Sequence, residues 1–229
     1  MISLNKTSET VRLSLAKSDP AIKIKAVWRD NGDDLDNDDL DLRAGILYPN
    51  GKMHFLDCER SGSLTEFPFI EHQGDIQTAS ETEPGSEVIL MNKDISKSLG
   101  GKVAVVFSVY SAVANGAVSI ASLRPKMVIE FGDQKVECEL SFDQTSRTVY
   151  TYVIGLVEVD GDEVVITPCG LTSRPCSEKT PWLRWAGDKV DVSFDGPQVM
   201  KGRNNTVGKV GFFGRLMGNK PECIYENIG

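Results

Sequence analysis

The chain has 229 residues, 40% of them apolar and 25% charged, a composition that supports a soluble globular fold with a real core. Its formal net charge of −8 argues against broad nucleic-acid binding, which needs clustered Lys and Arg facing phosphates. A net acidic chain favours cationic partners, divalent metal ions among them. Length alone leaves one large all-β domain and two small domains equally open.

Taken in order, the chain reads as a succession of short strands. The opening Met1-Ile2-Ser3-Leu4-Asn5-Lys6 lacks the charged and apolar regions of a secretory signal, so a cytoplasmic location is expected. Val11, Leu13 and Leu15 alternate with Arg12 and Ser14, and Ile22, Ile24, Ala26 and Trp28 alternate with Lys23 and Lys25. Period-two alternation marks strands with one buried face. Pro49-Asn50-Gly51 predicts a turn between strands at 45–48 and 52–56. Asp94–Leu99 is the best short helical candidate.

Val103–Leu123 carries no charge over about the length of a membrane span. Asn115-Gly116 and four serines interrupt it, so it reads as two buried strands joined by a turn. Gly132-Asp133-Gln134 and Asp160-Gly161-Asp162 predict two further turns. Val136, Cys138, Leu140 and Phe142 alternate with polar residues, as do Val190, Val192 and Phe194, whereas Val153–Val159 is almost continuously apolar, as expected of a strand buried on both faces. The expected fold is all-β: an antiparallel β-sandwich of two packed sheets with few short helices. From Gly196 onward Gly and Asn become frequent and the apolar pattern thins. One sandwich domain at 1–195 with an appended tail at 196–229 is expected.

The densest chemical signal lies at 30–41, where seven of twelve residues are Asp. Crowded carboxylates repel one another unless solvent, salt or a bound cation offsets their charge, and hard oxygen donors suit calcium. A solvated acidic loop has the same composition, so both readings stay open on this ground. The helix–loop–helix calcium motif does not fit: Asp39 stands in place of its glycine and Gly45 in place of its closing Glu. Asp39 and Asp41 alternate with Leu40 and Leu42, so a strand would project both carboxylates to one side. A second loop at 74–87 offers further carboxylates, hydroxyls and glycine-exposed carbonyls.

Asp39-Leu40-Asp41, followed by an apolar strand and a Pro-Asn-Gly-Lys turn, resembles the signature of the TerD/TerA tellurium-resistance family. So do Gly74-Asp75-x-x-Thr78 with Gly85-Ser86-Glu87, and the opening Ile2-Ser3-Leu4-Asn5-Lys6. The order of Phe69-Ile70, Val103–Tyr110 and Trp182-Leu183-Arg184-Trp185 is similar to the TerA branch. The resemblance covers residues 1–195. It implies a β-sandwich that binds calcium in an acidic pocket and serves in tellurite resistance and general stress response. Carried over residue by residue, it implies the ligands Asp39, Asp41, Asp75, Thr78, Glu83 and Glu87. Three positions depart from the family pattern: Ile76 follows Asp75 where Asn or Asp is usual, Ala79 replaces a glycine, and Pro84 stands in a glycine-rich stretch.

Other chemistries find little support. Gly100-Gly101-Lys102-Val103 lacks the spacing and hydroxyl of a phosphate loop. No GxSxG motif exists, and His54 and His72 are the only histidines, so a Ser-His-Asp triad has little to draw on. His72 lies just before the Gly-Asp loop and could face the pocket, but an exposed loop histidine is the favoured reading. Cys58, Cys138, Cys169, Cys176 and Cys223 form no CxxC pair and read as reduced thiols. Of Trp182 and Trp185, one is expected in the core and the other partly covered. The chain is therefore expected not to be an enzyme. It is expected to act as a calcium-stabilised scaffold for proteins of a stress-response complex, at the inner membrane surface in one version. The alternative is a metal-independent module for a nucleotide- or sugar-like ligand.

Overall fold

The computed structural model describes residues 1–15, 19–30, 39–58, 60–76, 79, 83–111, 120–139, 149–175, 177, 179–195, 206–207 and 223–224. Two sheets pack face to face. The first runs in the order β1 (Ile2–Leu4), β11 (Gln134–Cys138), β10 (Lys126–Phe131), β3 (Ala21–Trp28), β8 (Gly85–Asn92), β7 (Ile70–His72) and β6 (Gly62–Ser63). The second runs β2 (Val11–Ser14), β13 (Glu163–Thr172), β12 (Thr151–Asp160), β9 (Val103–Tyr110), β4 (Asp41–Leu47) and β5 (Met53–Leu56). The expected all-β sandwich is the fold observed. Among the described strands it departs from strict antiparallel pairing where β1 runs parallel to β11.

The main core forms where the inward faces meet. In β3 the alternation holds as read: Ile22, Ile24, Ala26 and Trp28 are buried, while Lys25 on the outer face pairs with Glu130 across the sheet. On β4, Leu42, Ala44 and Ile46 enter this core with Val105, Phe107 and Val109 of β9. The outer face of the six-stranded sheet is covered as well. A hairpin of β14 (Trp182–Ala186) and β15 (Lys189–Ser193) lies over it, and Leu183 and Trp182 pack there against Leu47, Phe55, Val106 and Val153 in a second apolar cluster. This explains why all eight residues of β9 are buried: a strand covered on both faces reads as a continuous apolar run. Of the two tryptophans in the hairpin, Trp182 is the buried one and Trp185 the partly covered one.

Arg43, on the outer face of β4, anchors this cover. It is buried, donates to the Thr180 hydroxyl and to Tyr110 Oη at 2.9 Å, and its guanidinium lies 4.5 Å from the centre of the Tyr110 ring. The short helix expected at 94–99 is present as α1 (Ile95–Ser98). The expectation of two strands across 103–123 is corrected: β9 is followed by a helical turn, α2 (Ile120–Leu123), and Asn115-Gly116 lies outside the described residues. Among the described residues no helix is long and apolar enough to cross a membrane. Of the tail expected at 196–229, the structure describes one antiparallel pair, Thr206–Val207 with Cys223–Ile224.

Candidate metal centre

Three connections meet at one end of the sandwich. The segment from β3 to β4 crosses between the sheets and delivers Asp39 and Asp41. The segment from β5 to β6 crosses back and carries Cys58. The loop from β7 to β8 carries Asp75. Ligand atoms of Asp41, Cys58 and Asp75 all lie within 4.8 Å of one another. Asp41 is only 4% exposed, whereas Asp75 is solvent-exposed and Cys58 half-buried.

Local structure explains how these groups come together. Asp41 opens β4 opposite Tyr110 of β9, so its position is set by the central ladder of the six-stranded sheet. Cys58 sits in a turn closed by backbone pairing of Asp57 with Arg60, and the Arg60 N–H also donates to Asp57 Oδ1 at 3.1 Å. Asp75 follows Gly74, whose φ of 112° is a conformation that favours glycine.

The expected ligands divide as follows. Asp41 and Asp75 are brought together. Asp39 is buried at 8% exposure, two residues ahead of Asp41, but is not one of the three that converge. Glu83 is exposed in the loop before β8. Glu87 is in β8 and almost wholly buried, its carboxylate accepting hydrogen bonds from the Leu42 N–H at 2.6 Å and the Ile76 N–H at 3.2 Å. Thr78, and the aspartates at 33, 34, 36 and 38, lie outside the described residues.

The reading of His72 as an exposed loop histidine is corrected. It closes β7, is buried, and faces inward beside Glu87, its Nε2 lying 3.4 Å from Glu87 Oε2. Cys58 was not foreseen as a site residue. The only signal available in the sequence was its place one residue after Asp57, at the end of a strand.

The thiol registers the electrostatics of the whole cluster. Burial, and then the negative charges of Asp75, Asp41, Asp57 and Glu87, push Cys58 up to about 12. Four carboxylates therefore act on one point, and the sulfur stays protonated at neutral pH. Glu87 is itself held above its ordinary range by burial, although hydrogen bonds from His72, Leu42 and Ile76 oppose that shift.

The donor set suits a hard divalent cation. Calcium takes roughly six to eight oxygens in a flexible shell, and two carboxylates from separate segments form the nucleus of such a shell. Thiol sulfur is a softer donor than a carboxylate oxygen, so within this set a hard ion would draw first on Asp41 and Asp75.

A separate cleft of about 440 Å³ lies between β12, β13 and the β14–β15 hairpin, lined in part by Arg12, Lys102, Glu158, Glu163 and Lys189. It sits at the other end of the sheet: Glu158 is opposite Ala104, which is opposite Leu47, the last residue of β4. Lys102 pairs there with Glu158 at 2.6 Å and Arg12 with Glu163, so these charges answer one another.

No protein-family model matches the sequence, and no curated protein matches it. Solved structures similar to this chain include two of low sequence identity. One is a protein of unknown function, SAV2460, at 17% identity and a TM-score of 0.49, covering 69% of this chain and 94% of that one. The other is SCO6318 from Streptomyces coelicolor A3(2), described as a homologue of the telluride resistance protein TerD, at 14% identity and a TM-score of 0.48, covering 68% of this chain and 92% of that one.

Proposed function

We propose that this chain is a non-enzymatic calcium-binding β-sandwich whose ion is held between the start of β4 and the β7–β8 loop by Asp41 and Asp75. Asp39, Thr78 and Glu83 are further candidates to complete the shell. The observation that carries the reading is the approach of two carboxylates 34 positions apart in sequence to within one ion's reach, with Cys58 between them. Supporting it are the acidic motifs that resemble the TerD/TerA family, in which such a site binds calcium.

A bound dication would offset the mutual repulsion of the carboxylates and tie the two segments together. The ion thus serves as a structural staple, and the stiffened loops form a surface for partner proteins of a tellurite- or stress-response assembly. The expected location is cytoplasmic.

Isothermal titration of the chain with calcium tests the reading. Binding heat and a melting temperature that climbs with calcium are expected, because an ion that binds only the folded state stabilises it by mass action. Asp41→Asn and Asp75→Asn should each remove most of both effects. A chain that gives neither heat nor a thermal shift at millimolar calcium sinks the proposal.

A further inference from the structure

His72 and Glu87 sit where the sandwich should be apolar. Both point inward from adjacent strands: His72 is opposite Ile89 in the β7–β8 ladder, which makes Glu87 its diagonal neighbour on the same face. His72 is 3% exposed and Glu87 1%. Two titratable side chains at such depth carry a desolvation cost that only specific partners can offset.

Besides each other, they meet backbone groups beside Asp41 and Asp75. His72 Nδ1 accepts from the Gly74 N–H at 3.1 Å, so in the neutral ring the proton is on Nε2. That nitrogen lies 3.2 Å from the Leu42 carbonyl. Glu87 Oε2 accepts from the Leu42 N–H at 2.6 Å and Oε1 from the Ile76 N–H at 3.2 Å. Leu42 thus presents both its N–H and its C=O to the pair. Pairing of β5 with β4 begins only at Ala44, and over the preceding residues the two side chains supply the donor and acceptor that a neighbouring strand would. On the other side, Asp75 is bracketed, with Gly74 tied to His72 and Ile76 tied to Glu87.

We propose that His72 and Glu87 form a buried clamp that sets the separation of Asp41 and Asp75, acting as positioning residues for the cation without binding it. The role rests on the functional reading above. It assigns Glu87 away from the ligand set, because the ligand atoms that converge are those of Asp41, Cys58 and Asp75, while the Glu87 oxygens are aimed at the Leu42 and Ile76 N–H groups. It also explains why a histidine belongs there: one ring accepts from the loop and donates to the strand.

The full-length chain and three variants test the clamp. Glu87→Gln keeps the shape but cannot accept from both backbone N–H groups. His72→Gln keeps a donor near Nε2 and loses the acceptor for Gly74, and His72→Asn does the reverse. Partners that orient metal ligands typically change metal affinity by about ten- to a hundredfold. A loss of that order is expected for calcium with Glu87→Gln and His72→Gln, in chains that still unfold cooperatively without metal. Terbium(III) replaces calcium as a luminescent probe, and its lifetime in light and heavy water counts the waters on the ion. Glu87→Gln should bind terbium more weakly with the water count unchanged, whereas one added water identifies Glu87 as a ligand and overturns the proposal. Unchanged calcium affinity in both Gln variants also overturns it.

Amide hydrogen exchange in the metal-free chain gives a readout independent of any ion. Glu87→Gln should speed exchange at Leu42 and Ile76, and His72→Gln at Gly74. An unmutated chain that binds no calcium overturns the functional reading and the positioning role together. The exchange pattern then still reports whether the clamp holds the two segments, so the two failures are distinguishable.

Discussion

Glu87 occupies an inward position of β8, where Ile89 and Met91 continue the same face into the core. An ionised carboxylate there is disfavoured by burial, which outweighs the hydrogen bonds from His72, Leu42 and Ile76 and raises its pKa above the ordinary 4.5. A carboxyl that holds its proton more tightly folded than unfolded destabilises the fold once pH climbs past the unfolded value. Its contribution is therefore favourable below about 4.5 and is lost as pH rises through the raised folded value. In metal-free chains, the stability of Glu87→Gln relative to the unmutated chain should increase with pH over that window, as read by urea unfolding at a series of pH values. A relative stability that stays flat or falls across the window contradicts this.

Single residues were the least legible part of the sequence. Asp41 and Asp75 could be picked out because each sits in a motif with its own pattern. His72 could not be placed, since a lone histidine before a Gly-Asp turn looks the same whether the strand beneath it is covered or not. Cys58 had no pattern at all, and its proximity to both aspartates exists only once β5 turns back toward the other sheet.

At the scale of elements, alternation was a faithful guide wherever one face met solvent, as in β3. It said less about β4, where Asp41, Arg43 and Gly45 alternate with the core-facing residues yet are buried as well, Arg43 against Thr180 and Tyr110. Close packing at strand glycines gives a contrast that can be measured. A Cβ on Gly85 would fall 2.2 Å from Cε2 of Trp28, whereas one on Gly155 would meet the Met127 tip at 2.1 Å. The indole is buried and rigid, while a methionine tip re-packs with little strain. Gly85→Ala should thus cost about 1–3 kcal/mol, in the range of overpacked core substitutions, and Gly155→Ala clearly less. Urea denaturation midpoints of the two variants compare them directly, and equal losses would refute this account. Because Gly85 is two residues before Glu87 on the same face, Gly85→Ala is also expected to weaken calcium binding.

Across the whole molecule, the two apolar clusters draw on described residues as far as Phe194. Lys179 Nζ donates to the Phe194 carbonyl, which ties the end of the hairpin back to the segment leading into it. A chain ending at Asp195 should therefore unfold in one cooperative step and keep the calcium response of the full-length protein. Calorimetry with and without calcium measures both, and loss of cooperativity would assign the tail a part in the fold.

Residue order by itself determined the all-β class, the turns at Pro49-Asn50-Gly51, Gly132-Asp133 and Asp160-Gly161, the short helix near Ile95, and the two acidic segments. These are local properties, carried by side-chain periodicity and by the few residue types that tolerate tight turns. Only the tertiary structure decided that β1 pairs in parallel with β11, that a hairpin seals the outer face of the six-stranded sheet, and that His72 and Glu87 face inward between Asp41 and Asp75. Each of those depends on which strands become neighbours. Pairing across dozens of residues is set by the burial of whole faces, which no short window of sequence records.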